Sequence, residues 1–299
     1  MLWWLVVGCS APVQDPAEAP DPAPGSTELR FVALGDVGKG TSQQARVAES
    51  VRQVCEVQGC DLLVLLGDNL YPRGMQRADD PRMDEVLGDR YGQVAPVYMV
   101  HGNHDYAHGQ DHERARWARQ WAQRTSGFEH PSPWYGFQAG PARFLALDTT
   151  HAFWSGAEPQ RTWLEESLAR SGADWTVVFG HHPLRSNAQH GNAGAYEGWS
   201  SVPWMSGRSV ATLLEPLCGA ADLYLSGHDH TLQWGEHCGL TWVVSGAGSA
   251  SSPLVDRGND TRFERSDLGF FWVHLGEQMH IRAYDRSGQV VHEGWGTRR

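Results

Sequence analysis

The chain has 299 residues, of which 40% are hydrophobic and 10% aromatic, so it is too apolar for a disordered protein and long enough for one or two domains with full cores. Its formal net charge is −11, from 24 basic and 35 acidic residues, which argues against nonspecific nucleic-acid binding because that function needs a basic face to neutralise phosphates. An acidic protein can still bind an anionic substrate if a local group reverses the sign of the charge, and a metal centre is the usual such group.

The N-terminal residues are predicted to lie outside the folded domain. The apolar run 2–7 is far shorter than a membrane span and is compatible with the core of a secretory signal. The sequence Val6-Val7-Gly8-Cys9 resembles a bacterial lipoprotein processing site. We therefore expect residues 1–9 to be a signal ending at a lipidated Cys9, with an ordinary cleaved signal as the alternative. Either signal predicts export. A lipidated protein would be anchored in a bacterial cell envelope, and a cleaved one would be released into the periplasm or the medium.

Residues 10–28 consist mainly of Pro, Ala, Asp and Glu and are expected to form a disordered tether. Residues 29–299 are predicted to form one domain in which strands and helices alternate. Apolar residues on a helical repeat predict helices at 41–56, 111–125, 159–171 and 208–217. Apolar runs typical of buried strands predict strands at 29–34, 61–66, 96–100, 144–147, 175–179 and 223–226. Beyond Gly227 the pattern is all strand, with strands expected at 241–245, 270–275, 279–284 and 289–292. The fold class is therefore α/β, with sheets covered by helices.

Four further cysteines fit an oxidising compartment. Cys55 and Cys60 flank a short turn, and Cys218 and Cys238 bracket a predicted strand. Four cysteines allow three connectivities, of which pairing each cysteine with its neighbour is the simplest. Four free, buried thiols are the alternative.

Five predicted strands end in short clusters of residues that can bind metal ions. The clusters are Gly35-Asp36-Val37-Gly38, Gly67-Asp68-Asn69-Leu70-Tyr71, Gly102-Asn103-His104-Asp105, Gly180-His181 and Gly227-His228-Asp229-His230. Loops converge on a ligand at the carboxyl ends of strands in an open α/β sheet, and glycine lets the backbone turn sharply there. One cluster alone would be weakly indicative, but five at successive strand ends predict a shared metal site.

Seven side chains in these clusters can act as ligands: the anionic oxygens of Asp36, Asp68 and Tyr71, the neutral oxygen of Asn103, and the nitrogens of His181, His228 and His230. Seven ligands are too many for one ion and enough for two if one carboxylate bridges them. Oxygen and nitrogen donors without a thiolate favour iron, manganese or zinc. A hard phenolate favours a trivalent ion, so we expect Fe(III) beside a divalent iron, zinc or manganese ion. Such a pair would supply the local positive charge that an anionic substrate needs.

The five clusters match, in order, the motifs of the calcineurin-like metallophosphoesterases, and the chain resembles the purple acid phosphatases of that superfamily, especially the small tartrate-resistant type. The first motif lacks the histidine of general members, whereas a tyrosine three residues after Asp68 marks the purple acid phosphatases. The resemblance covers residues 30–284 and implies a four-layered α/β/β/α sandwich. It also implies that Asp36, Tyr71 and His230 bind the ferric ion, that Asn103, His181 and His228 bind the divalent ion, and that Asp68 bridges them.

The resemblance further implies that His104 and His190 bind the phosphate and protonate the leaving group, and that Asp105 orients His104. His101 and His182 are interpreted as packing residues. The expected activity is hydrolysis of a small phosphate monoester by a metal-bound hydroxide at acid pH, in a monomer that contacts membranes only through its lipid anchor. A phosphodiesterase or nucleotidase on the same scaffold is one alternative. A non-catalytic, surface-tethered binding protein is another, although all seven ligands are present.

Overall fold

The computed structural model describes residues 17–170, 172–198, 201 and 205–299, and in this part of the chain two mixed β-sheets are flanked by helices. The strands are β1 (Ala17–Glu18), β2 (Leu29–Leu34), β3 (Leu62–Leu65), β4 (Val97–Met99), β5 (Phe128–Glu129), β6 (Tyr135–Ala139), β7 (Ala142–Ala146), β8 (Trp175–Phe179), β9 (Leu223–Ser226), β10 (Leu232–His237), β11 (Leu240–Ser245), β12 (Thr261–Arg265), β13 (Gly269–Leu275), β14 (Met279–Asp285) and β15 (Val290–Trp295). The α-helices are α1 (Ser42–Gln58), α2 (Asp89–Tyr91), α3 (His112–Arg124), α4 (Thr149–Ser155), α5 (Gln160–Leu168) and α6 (Arg208–Leu214). A π-helical turn, Asp84–Gly88, precedes α2, and two 3₁₀ turns lie at Tyr196–Gly198 and Glu215–Leu217.

The two sheets pack face to face. One has the strand order β15-β14-β13-β2-β3-β4-β5 and the other β1-β6-β7-β8-β9-β11-β10-β12. In β2, Leu29, Phe31 and Ala33 join the core between the sheets, whereas Val32 and Leu34 pack toward α1 on the outer face. Because both faces of such a strand are covered, its sequence is continuously apolar.

Helices cover the outer face of each sheet. The helix α1, the turn Asp84–Gly88 and α3 pack on the sheet that contains β2, and α4, α5 and α6 pack on the sheet that contains β8. The fold is therefore a four-layered α/β/β/α sandwich, which confirms the predicted fold class.

The predicted helices are confirmed with small changes at their ends. Thr41 caps α1 by accepting a hydrogen bond from the backbone N–H of Gln44, and Asp111 caps α3 in the same way. Polar side chains at these positions satisfy N–H groups that have no partner within the helix. The helix α6 ends earlier than predicted because Pro216 cannot continue it, and a 3₁₀ turn follows.

Several short elements were not predicted from the sequence. Among these are β5, β6, β10, β12 and α4. The edge strand β12 is polar except for Phe263, and β6 and β10 each contain a glycine. Such segments lack the continuous apolar run that marks a buried strand, and α4 is too short to show a helical repeat.

The folded part of the chain begins earlier than predicted. The strand β1 pairs in parallel with β6, and the hydroxyl of Tyr98 donates a hydrogen bond of 2.6 Å to the carbonyl of Pro20. The prediction that residues 10–28 are a disordered tether is therefore wrong from Ala17 onward. Backbone hydrogen bonds and the partly buried Ala19 and Ala23 attach this segment, and composition does not reveal backbone pairing. The predicted signal, Cys9 and the first part of the tether lie outside the described residues.

Two disulfides join Cys55 to Cys60 and Cys218 to Cys238. This is the pairing of neighbours that the sequence predicted as the simplest connectivity. Within the described residues, none of the helices combines the length and the apolarity that a membrane crossing requires.

Candidate metal centre and substrate pocket

The five motif clusters meet at one edge of the sandwich. Three of them follow β2, β3 and β4 of one sheet, and the other two follow β8 and β9 of the second sheet. Since these strands run parallel within each sheet, their carboxyl ends place the motif loops side by side. The five clusters therefore converge as the sequence predicted, and they come from strands of both sheets.

The motif loops approach one another too closely for larger residues. A Cβ atom at Gly102 would lie 2.1 Å from Oδ1 of Asp68, and one at Gly227 would lie 2.5 Å from Oδ2 of Asp36. Asp36, Asp68 and His228 themselves adopt left-handed φ angles of 58°, 56° and 68°. Such conformations cost about 1–3 kcal/mol each in non-glycine residues and concentrate at functional sites.

Tyr71 lies at the centre of the first group of predicted ligands. Its hydroxyl oxygen is 2.8 Å from Oδ2 of Asp68 and 3.1 Å from Oδ1 of Asp36. Nε2 of His230 lies 3.1 Å from the same hydroxyl and 3.3 Å from Oδ1 of Asp36. The structure therefore brings together the predicted ligands of the ferric ion.

His181 lies at the centre of the second group. Its Nδ1 is 2.8 Å from the carbonyl of Leu66 and donates to it. Its Nε2 faces the site, 2.9 Å from Oδ1 of Asn103, 3.2 Å from Nδ1 of His228 and 3.5 Å from Oδ1 of Asp68. Asp68 thus directs one oxygen to each group, which is the arrangement that a bridging carboxylate requires.

The burial, charge and pKa directions of these side chains are compatible with a bound cation. Asp36 and Asp68 are buried. Burial would raise the pKa of Asp68, but the His181 and His104 rings hold it below the usual value. Burial and the carboxylates of Asp36 and Asp68 raise the pKa of the Tyr71 hydroxyl well above its usual value. A bound metal ion would reverse this direction because a nearby cation favours the phenolate.

The lone pairs in the second group of predicted ligands also indicate a site for a cation. When His181 donates through Nδ1, the lone pair on its Nε2 faces an amide oxygen and the Nδ1 of His228. Burial and the neighbouring imidazole rings lower the pKa of His228 well below its usual value, so this ring stays neutral. Converging lone pairs repel one another unless a proton or a metal ion lies between them, and the mixed oxygen and nitrogen donors suit a transition metal.

His104 borders Asp68, but Asp105 does not orient it. Nδ1 of His104 donates to the carbonyl of Pro72 at 2.6 Å, which leaves Nε2 3.6 Å from Oδ2 of Asp68. Asp105 instead accepts hydrogen bonds from the backbone of Gly102 and from Asn69. The predicted contact between the neighbours is wrong because successive residues of this turn point to different sides. Asp105 joins two motif loops, and burial and Asp68 raise its pKa to about 6.

His190 lies against the metal site and contacts a carboxylate that the sequence analysis missed. Its ring stacks on that of His228 with 4.0 Å between centroids, and its Nδ1 bonds to the carboxylate of Glu197. Asp229 accepts hydrogen bonds of 2.9 and 3.1 Å from the backbone N–H groups of His190 and Gly191. The position of Asp229 between two predicted ligands could have indicated its role, but no sequence signal marks Glu197.

His108 is a second residue that the sequence analysis missed. Its Nδ1 lies 3.2 Å from Nδ2 of Asn103, and its ring contacts that of His104 at 3.8 Å between centroids. In this arrangement the amide nitrogen of Asn103 faces His108 and its Oδ1 faces His181. This is the orientation in which the amide oxygen could bind a metal.

A pocket of about 230 Å³ opens beside Asn103 and His228. Its walls include His108, Phe153, Trp154, His182, His190, Tyr196, Glu197 and Met205. His101, by contrast, is buried between Asp148 and the carbonyl of Ala115, as expected of a packing residue. His182 is bonded to Thr149 but also lines the pocket, so its role extends beyond packing.

Comparisons with known proteins agree with the geometry. Residues 29–232 match the family model for calcineurin-like phosphoesterases. Tartrate-resistant acid phosphatase type 5 of Rattus norvegicus is 29% identical over 90% of this chain and 90% of its own length. Purple acid phosphatase 4 of Arabidopsis thaliana is 28% identical over 93% of this chain and 85% of its own length.

Two solved structures share the fold. GAP50, the anchor in the inner membrane complex of Plasmodium, superimposes with a TM-score of 0.73 at 22% identity and covers 92% of this chain and 90% of its own. Purple acid phosphatase PPD1 from yellow lupin gives a TM-score of 0.70 at 19% identity and covers 94% of this chain and 56% of its own. At such identities these two structures show a common fold and no more.

Proposed function

The chain belongs to the calcineurin-like phosphoesterase family and is a phosphoric ester hydrolase, and from this premise we propose that it cleaves small phosphate monoesters at a dinuclear metal centre with an acid pH optimum. The position of Asp68 between the two ligand groups is the observation that carries the proposal. One of its oxygens lies 2.8 Å from the Tyr71 hydroxyl and the other 3.5 Å from Nε2 of His181.

The chemistry of the donor atoms supports a proposal for which metal each group would hold. Asp36, Tyr71 and His230 would hold Fe(III), because a phenolate is a hard anionic ligand. Asn103, His181 and His228 would hold a divalent iron, zinc or manganese ion, since neutral oxygen and nitrogen donors suit that class. Bound together, the two ions would neutralise the phosphate and acidify a bound water so that a nucleophile is available at acid pH.

The remaining side chains of the site bind and orient the ester. His104 donates through Nδ1 to Pro72, so its Nε2 faces the site and would donate to a phosphoryl oxygen only from the doubly protonated ring. His190 engages Glu197 through Nδ1, so its Nε2 is available to give a proton to the leaving alkoxide. The carboxylate of Glu197 holds the ring through Nδ1, and the donor role requires a proton on Nε2 as well.

Two measurements on purified protein test the function. Metal analysis gives the content of iron and of divalent metal per chain. Rates with 4-nitrophenyl phosphate and bis(4-nitrophenyl) phosphate, taken from acid to neutral pH, separate a monoesterase from a diesterase. We expect two metals per chain and faster monoester hydrolysis at acid pH. Two metals with faster diester hydrolysis would favour the phosphodiesterase alternative, and metal-free, inactive protein would favour a binding protein.

We also propose that the chain is exported and held at a bacterial membrane through Cys9. The two disulfides support export because disulfides persist in oxidising compartments. Since the anchor would be the only membrane contact, Cys9→Ser should release the protein into the soluble fraction. Fractionation of cells that express the wild type and the variant checks this, and a wild type found wholly in the soluble periplasmic fraction contradicts it.

A further inference from the structure

We propose that the pocket beside Asn103 and His228 holds the organic group of the ester as a single aromatic ring or a similarly compact apolar group, and that it disfavours substrates with further negative charges. The inference rests on the proposed function, because it assigns the leaving-group side of the same site.

A row of rings leads from the metal site to the surface. The ring of His182 lies 4.6 Å from that of His228, and Phe153 stacks on His182 at 5.6 Å with an interplanar angle of 16°. Trp154 continues the row, 5.0 Å from Phe153. A substrate group that leaves the metal site along this row meets aromatic side chains at each step.

The polar atoms of this wall are already engaged. The hydroxyl of Tyr196 donates to the carbonyl of Pro183 at 2.6 Å, and Nδ1 of His182 bonds to Thr149 at 2.9 Å. The wall therefore offers mainly ring surface and few free hydrogen-bonding groups. Fixed rings lose little conformational entropy when they bind a ligand.

Two unusually exposed apolar side chains border the same pocket. Trp154 is 40% and Met205 43% exposed. Large apolar side chains with this exposure are few among the described residues, and the others do not line this pocket. Neighbouring exposed apolar side chains are typical of a binding surface. Their position beside the pocket supports its assignment to an apolar substrate group.

The size and charge of the pocket limit the substrate. A volume of about 230 Å³ is below the usual range for drug-sized ligands and suits a single ring. Among its described lining residues there is no lysine or arginine, and Glu197 carries a carboxylate. Phe153 and Trp154 also line a neighbouring groove, in which Glu158 and Arg208 carry opposite charges. Beyond His190, which is paired with Glu197, a second phosphate group would therefore find no lysine or arginine among the described lining residues of the pocket.

Inhibition by phosphonates tests the pocket without any leaving-group chemistry. Phenylphosphonate and ethylphosphonate carry the same charged group and differ in the apolar part. For the wild-type holoenzyme we expect the inhibition constant of phenylphosphonate to be lower by about tenfold. A ring with an added carboxylate, 4-carboxyphenylphosphonate, should bind more weakly than phenylphosphonate.

Variants at the mouth of the pocket test whether its wall causes the preference for phenylphosphonate over ethylphosphonate. Trp154→Ala should reduce the preference for phenylphosphonate at least threefold, whereas Trp154→Phe should retain most of it. The matched control is Trp295→Ala, because Trp295 is 55% exposed on β15 and does not line the pocket. That variant should keep the full preference.

The possible failures are distinguishable. Equal inhibition by the phenyl and ethyl compounds, or a preference unchanged in Trp154→Ala, overturns the assignment of the pocket while monoester hydrolysis stands. A wild type that hydrolyses no monoester and is inhibited by neither phosphonate overturns the proposed function and the pocket assignment together.

Discussion

The hydroxyl of Tyr71 lies 2.8 Å from Oδ2 of Asp68, and both side chains come from the single loop that follows β3. The other oxygen of that carboxylate faces His181, in the loop that follows β8 of the second sheet. One buried carboxylate thus connects ligands from both sheets. If it bridges two cations, the whole site depends on it more than on any terminal ligand.

Asp68→Asn should lose both metals and reduce kcat/KM by more than about a hundredfold. The amide keeps the shape of the carboxylate, and asparagine tolerates the left-handed backbone found at this position. Without the bridging negative charge the two cations repel each other. Metal content per chain, measured beside turnover, checks the prediction. Asp79→Asn, on an exposed side chain, serves as control. A variant that retains two metals and near-normal turnover would show that Asp68 does not bridge.

His190→Ala should slow esters of alkyl alcohols more than 4-nitrophenyl phosphate. A poor leaving group needs a proton in the transition state, whereas 4-nitrophenolate leaves without one. Glu197→Gln should act in the same direction and to a smaller extent, because the imidazole remains and only its carboxylate partner is lost. The ratio of kcat/KM for the two ester classes is the quantity to measure. Equal slowing of both classes would remove leaving-group protonation from the role of His190.

The loss of folding stability at acid pH should depend on His130, which lies outside the metal site. Its ring is buried against His101, and both of its ring nitrogens lack a hydrogen-bond partner. Burial, His101 and Arg119 lower its pKa well below the usual value, so the native protein keeps this ring neutral. Below a pH of about 6.5 the unfolded chain binds a proton that the native protein does not, so stability falls as the pH falls.

His130→Leu removes this proton linkage, which can reach about 1.4 kcal/mol per pH unit. The midpoint of thermal unfolding should therefore drop less for the variant than for the wild type as the pH is lowered from 7 to about 5. Thermal unfolding across that pH range checks the prediction. Parallel profiles for the two proteins would mean that His130 is protonated in the native state or is not linked to the loss of stability.

The sequence analysis found the seven candidate ligands because each follows a buried strand in a short, chemically distinct cluster. It could also predict the layers, since strands covered on both faces are continuously apolar. It could not find Glu197 or His108, whose contacts depend on how loops fold over the motifs. The pocket wall was missed for a different reason, because Phe153 and Trp154 lie on a helix too short to show a repeat.

The assignment of Asp105 shows a further limit. Its neighbour His104 is adjacent in sequence, yet the two side chains serve different loops. Proximity along the chain does not determine which way a side chain points in a tight turn. The beginning of the domain was misplaced for a related reason, since β1 is attached by backbone pairing rather than by large apolar side chains.

The visible spectrum tests the central claim, that Tyr71 binds a ferric ion in a dinuclear site, most directly. A phenolate bound to Fe(III) transfers charge to the metal under visible light, so the purified, oxidised wild type should contain iron and be purple to pink. Tyr71→Phe keeps the ring and removes the only atom that can bind the metal. This variant should therefore lose the visible band while it stays folded and retains part of its iron through the other ligands. A wild type that contains iron and is colourless when oxidised would show that Tyr71 is not a ligand, and the proposed ferric site would be wrong.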